Sequence, residues 1–80
     1  MKDIKARALV LARIERMSLG HPGDVKAVGQ YVSEMRIHYG PGYRVYFTKQ
    51  GKKIVILLAG GSKRTQAKDI KTALKLAQNI

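Results

Sequence analysis

No cysteine occurs among the 80 residues of this chain. Neither a disulfide nor a thiolate metal site can therefore support the fold, and no thiol nucleophile is available. That absence is compatible with a reducing compartment, and a cytoplasmic location is expected. Histidine is limited to His21 and His38, with no acid or histidine cluster at ligand spacing, so neither a metal nor a cofactor is expected. Acids are scarce as well. Asp3, Glu15, Asp24 and Glu34 sit singly in different segments and Asp69 lies in a basic helix, which leaves no paired carboxylates for hydrolysis. Ser18, Ser33 and Ser62 have no accompanying His/Asp arrangement. Long apolar runs are missing: the longest, residues 54–59, is far too short to cross a bilayer. The first charged residues lead into an amphipathic segment and not into a signal peptide.

Positive charge is what the chain has in abundance. Sixteen Lys and Arg against five acids give a net charge of +11, a field that concentrates polyanions and repels basic surfaces. Nucleic acid is the leading partner class and an acidic protein the second. A membrane surface ranks below both, because the basic residues are spread over every segment and not along one helix. The length suits one small domain, residues 1–80, near the size at which a single core barely suffices.

Apolar spacing predicts a helix over residues 3–17, with Ile4, Ala8, Leu11 and Ile14 as its stripe and Leu9, Val10 and Met17 widening it. Asp3 is positioned to cap its start and Gly20 to follow its end. Residues 21–24 read as a loop, and residues 25–29 are ambiguous, with a short extended piece as one option. A hairpin follows over about residues 31–49. Gln50-Gly51 turns into an apolar strand over residues 53–59, which reads as a strand covered on both sides near the middle of a sheet. Gly60-Gly61-Ser62 is expected to break it. A second helix over about residues 65–78 carries Ile70, Ala73, Leu74 and Ala77 on one side. The order predicts an α+β domain: a small antiparallel sheet of three main strands, packed by an N-terminal and a C-terminal helix.

The hairpin carries the chemistry. With Gly40, Pro41 and Gly42 as the loop, Tyr39 faces Tyr43, His38 faces Arg44, Ile37 faces Val45 and Arg36 faces Tyr46. Met35, Ile37, Tyr39, Tyr43, Val45 and Phe47 then share a core face, while Arg36, His38, Arg44 and Tyr46 share the other. An antiparallel sheet often leaves one face wet, so polar residues there need no task. Like charges opposed across a hairpin are nonetheless destabilising unless an anion offsets them. Arginine suits phosphate, and histidine and tyrosine can move protons or stack on bases. Gly60-Gly61-Ser62-Lys63-Arg64 is a second candidate, either a phosphate cradle at a helix start or a plain turn capped by Ser62 or Thr65. It is not a Walker loop, whose spacing is absent.

The run Glu34-Met35-Arg36-Ile37-His38-Tyr39-Gly40-Pro41-Gly42-Tyr43-Arg44-Val45-Tyr46-Phe47, followed by Leu57-Leu58-Ala59-Gly60-Gly61-Ser62-Lys63 and Asp69-Ile70, resembles the RelE/ParE toxin superfamily. Within it, the chain is similar to the HigB-like branch of addiction-module killer proteins. The resemblance implies the toxin of a type II toxin–antitoxin pair, a metal-independent and ribosome-associated mRNA endonuclease. It also leaves open a ParE-like gyrase inhibitor, or an inactive module that binds only antitoxin or RNA. It implies that Arg44 contacts the scissile phosphate, assisted by Arg36 and Lys63, with His38 or Tyr46 in proton transfer. Arg64, Tyr39 and Lys68 are the RNA- or phosphate-binding residues of this reading. The implied partners are mRNA, a cognate acidic antitoxin of helix-turn-helix type, and a second copy of the chain. The superfamily's C-terminal catalytic tyrosine has no counterpart, since nothing aromatic follows Phe47. Superfamily members also begin with a further strand and helix before the segment matching residues 3–17, and the apolar surface left without them is expected to need another cover.

Overall fold

The computed structural model of the protein describes residues 3–21, 23–51 and 54–79. Helix α1 (Ile4–Ser18) starts at Asp3, whose carboxylate accepts the amides of Lys5 at 3.0 Å and Ala6 at 3.1 Å. Four antiparallel strands follow, β1 (Val25–Gly29), β2 (Val32–Ile37), β3 (Tyr43–Gln50) and β4 (Ile54–Ser62), ordered β1-β2-β3-β4 across the sheet. A short 3-10 turn (Lys63–Thr65) leads into helix α2 (Gln66–Ala77). The ambiguous residues 25–29 thus supply a fourth strand, pairing with β2 through Val25 opposite Met35 and Lys26 opposite Glu34. No helix among the described residues is long and apolar enough to cross a membrane.

The two helices lie on opposite faces of the sheet, and the period-two alternation of β2 and β3 serves both. Met35, Ile37, Val45 and Phe47 meet Val10 and Met17 of α1. Val32 and Tyr46 meet Ala73 of α2, with Ile70, Leu74 and Ala77 around them, the side expected for that helix. Helix α1 departs from its expected stripe. Ala6, Val10 and Met17 are buried, whereas Ile4 is 81% and Leu11 65% exposed. Apolar residues surround much of this helix, so two faces satisfy a 3.6-residue period, and the sheet takes the one through Val10.

The hairpin register differs from the expected one. Arg36 stands opposite Arg44, Met35 opposite Val45 and Glu34 opposite Tyr46. The connection is longer than a Gly-Pro-Gly turn because residues 38–42 fold back on themselves: Tyr39 N–H donates to the Ile37 carbonyl at 2.9 Å and Gly42 N–H to the Tyr39 carbonyl at 3.2 Å. His38 is thereby drawn out of the strand. The shift is by an even number of residues, so every side chain keeps its face while its partner changes.

Strand β4 corrects two further expectations. It is an edge strand and not a central one, and it runs on through Gly60 and Gly61, which pair with Val45 and Arg44. Lys53, expected to open this strand, lies outside the described residues.

The β1–β2 turn is strained. Gln30 and Tyr31 both have positive φ, +44° and +67°, a region that suits glycine. Tyr31 is 94% exposed and has little packing to lose. Tyr31→Gly is therefore expected to raise stability by about 0.5–1 kcal/mol, measured as a higher urea midpoint with an unchanged slope.

Candidate functional site

The α2-facing side of β2 and β3 gathers Glu34, Arg36, Arg44 and Tyr46. It is not a solvated cationic face. Glu34 is 0% exposed and sits at its centre. Arg36 Nε donates to Glu34 Oε1 at 2.9 Å, and the Tyr46 hydroxyl donates to Oε2 at 3.0 Å. Gln66 Nε2, from the first turn of α2, donates to the same Oε2 at 2.9 Å. Arg44 Nε lies 3.6 Å from Oε2, close enough for charge but with no hydrogen-bond partner. Two guanidiniums directly opposed across the hairpin are thus tolerated because a buried carboxylate stands beside them.

Titration follows from this geometry. Burial pushes the Glu34 carboxyl up, yet the hydrogen bonds from Arg36, Gln66 and Tyr46 and the charge of Arg44 outweigh it, holding the group below its ordinary value. Burial, then the bond to Glu34, pushes the Tyr46 phenol well above its usual range. Tyr46 is fully buried with its proton committed to Glu34, so it holds the cluster together and is not presented to an outside ligand. Sequence reasoning had passed over Glu34 and Gln66. Glu34 was within reach, because it lies two residues before Arg36 on one strand and so shares its face. Gln66 depends on how α2 docks, which no local pattern reveals.

His38 occupies the exposed 38–42 loop and pairs through Nε2 with Asp24 at 2.5 Å. That hydrogen bond from His38, more than the nearby charges of Arg36 and Arg13, holds the Asp24 carboxyl below its usual value. An ionised carboxylate can only accept, so His38 Nε2 is the donor in this pair and Nδ1 is not used by it. Arg13 of α1 ties this corner together, donating to the carbonyls of Arg36 at 2.9 Å and Asp24 at 3.3 Å.

The second candidate segment meets the hairpin at Gly42. A Cβ there would lie 3.8 Å from Lys63 Cβ and 3.9 Å from Arg44 Nη1, so the turn, the arginine and the lysine share one corner. Gly42 also has a φ of +79°, which a side chain would resist. The expected cradle takes a different form: the glycines belong to the β4 ladder, and the turn after them is capped. Ser62 Oγ accepts the Arg64 amide at 3.3 Å, and the Ser62 amide donates to Thr65 Oγ1 at 3.3 Å. Gly61 is required because a side chain would run into Asp69 and Thr65.

Lys63 and Arg64 are exposed on that turn. Tyr39 is elsewhere, packed against the α1-side core, stacked on Tyr43 with ring centroids 6.4 Å apart and with Lys5 Nζ 5.5 Å above its ring. Lys68 is exposed on α2, one turn beyond the capped residues. No group of three or more His, Cys, Asp or Glu among the described residues could hold a metal ion.

Residues 2–80 match the family described as phage-derived protein Gp49-like (DUF891). An uncharacterized protein of Haemophilus influenzae (strain ATCC 51907 / DSM 11121 / KW20 / Rd) is 49% identical over 80 residues, covering all of this chain and 81% of that protein. No solved structure is significantly similar. With nearly its whole length matched, the chain belongs to the Gp49-like family, within the RelE/HigB-like toxin superfamily.

Proposed function

We propose that this protein is the toxin of a type II toxin–antitoxin pair and acts as an mRNA endonuclease on translating ribosomes, held in check by an acidic antitoxin. The observation that carries the reading is the corner where Arg44, Lys63 and Gly42 meet, with Arg36 directly opposite Arg44. A phosphodiester placed there meets planar cationic donors that are already oriented. The chain's charge of +11 draws RNA towards it.

The reaction of this reading is attack by a ribose 2′-hydroxyl on the adjacent phosphorus. The new O–P bond forms as the bond to the 5′-oxygen breaks, leaving a cyclic phosphate and a 5′-hydroxyl. Arg44, Arg36 and Lys63 stabilise the charge that builds on the phosphoryl oxygens. His38 takes or returns the proton through Nδ1, oriented by Asp24 as a carboxylate orients the imidazole of a hydrolase triad. Tyr46 is assigned a positioning role, since its hydroxyl is committed to Glu34. Arg64 and Lys68 extend the cationic surface along the backbone of the bound strand.

The test is a cell-free translation reaction with 5′-end mapping of the message, run beside a gyrase supercoiling assay. Cuts at defined positions in translated message support the nuclease. Inhibited supercoiling without cuts moves the protein to gyrase poisoning, and no effect in either assay makes it a binding module.

A further inference from the structure

Strands β1 and β2 are joined by Gln30 and Tyr31 alone, between the paired Gly29 and Val32. Both residues take the left-handed backbone that Asn-Gly normally supplies in such a turn. A tyrosine there costs stability, and its ring recovers none of it by burial, being 94% exposed. Packing within the molecule therefore gives no reason for an aromatic at this position. Backbone strain that the fold does not need points to a contact outside it. Clefts open on either side of the ring. Lys49 and Gln50, at the end of β3, line one, and Ala77 and Gln78, at the end of α2, line another. Gln78 Nε2 donates to Gln30 Oε1 at 3.4 Å, which ties the turn to the end of α2. None of the chain's five acids lines these clefts.

An aromatic ring among carboxamides and a cation suits one class of ligand. A planar face offered to solvent stacks on the face of a base. Carboxamides both donate and accept, as base edges require, and a lysine beside them suits the phosphate that follows. The charge of +11 concentrates such a polyanion and opposes a second copy of the chain. Bases within a duplex have their faces covered, so the ligand is single-stranded. The turn is also remote from the Arg44 corner. Arg44 stands at the start of β3 and Lys49 near its end, about 17 Å apart along an extended strand. The two places therefore meet different nucleotides.

We infer that Tyr31 is a stacking platform for an unpaired base of a single-stranded nucleic acid, with Lys49 beside its phosphate. The platform goes beyond the proposed cleavage and stands even if Arg44 cleaves nothing. The probes are a short dye-labelled oligoriboadenylate, the matching oligodeoxyadenylate and an abasic strand of equal length and charge. Anisotropy should show at least about fivefold tighter binding of a base-bearing strand than of the abasic one, the difference expected from one stacked base. Tyr31→Asn removes the ring but keeps a residue that tolerates the left-handed backbone, and should bind all three strands at the abasic level. Tyr31→Phe should bind as wild type, and Arg44→Ala should keep the preference for bases. Tyr31→Trp introduces the chain's only tryptophan. Its emission should be quenched by a base-bearing strand and not by the abasic one. Quenching by either base-bearing strand supports the platform, and the tighter of the two identifies the nucleic acid it serves. Equal affinity for base-bearing and abasic strands, or a Tyr31→Asn protein that still prefers bases, overturns the inference. Tryptophan emission that changes with protein concentration in the absence of nucleic acid overturns it in favour of a second copy.

Discussion

Glu34→Ala is expected to lower the stability of the domain by about 3–5 kcal/mol, the usual cost of removing one partner from a buried ionic cluster. Four groups from three elements converge on this carboxylate, and its loss leaves Arg36 and Arg44 facing each other across the hairpin with the Tyr46 hydroxyl unpaired beside them. In a domain of this size each kcal/mol moves Tm by roughly 4–8 °C, so the variant melts at least about 12 °C lower. Glu34→Gln keeps the shape and much of the hydrogen bonding but removes the charge, and should fall between the two. A loss below 1 kcal/mol for Glu34→Ala, by urea denaturation, would contradict a structural role for the cluster.

The same carboxylate shapes the acid limb of stability. Its folded value lies below the ordinary 4.5, so its contribution is complete above that pH and is lost as pH falls through the lower folded value. Asp24 titrates in the same direction. Stability measured from pH 6 downwards should therefore decline below about 4.5. The decline should be shallower in Glu34→Gln; an identical slope in the variant would remove Glu34 from the effect.

Most of the architecture was legible in the chain because its signals are local. Asp3 and Gly20 bound α1, and Ile70, Ala73, Leu74 and Ala77 gave the buried side of α2. What failed depended on tertiary context. A Gly-Pro-Gly triplet suggests a three-residue loop, but the internal bonds of residues 38–42 move the pairing along and remove His38 from the strand. An uninterrupted apolar run reads as a central strand, yet β4 is an edge with one face half open. At the site, face parity correctly grouped Arg36, Arg44 and Tyr46. Their meaning changed once Glu34 joined them, since a block of exposed cations became a buried cluster in which one carboxylate holds two arginines and offsets only part of their charge. Tyr39 shares a turn with these residues but belongs to the opposite face, which strand alternation had already indicated.

Arg44→Ala is the second large effect, on activity and not on fold. Glu34 keeps Arg36, Tyr46 and Gln66 when Arg44 is truncated, so the carboxylate stays satisfied and the domain folds. In the reaction proposed above, the phosphate would then lack the planar donor that Arg44 brings to the Gly42–Lys63 corner. Removing one oriented donor from a developing oxyanion costs about 10²–10³-fold in rate. Arg44→Lys restores the charge but not the fork geometry and should recover only part of it. The direct measurement is single-turnover cleavage of ribosome-bound message by wild-type protein, Arg44→Ala and Arg44→Lys, with folding checked by circular dichroism. The account predicts defined cuts by wild type, a loss of at least about a hundredfold in the alanine variant and partial recovery in the lysine variant. Cleavage undiminished in a folded Arg44→Ala protein would contradict it.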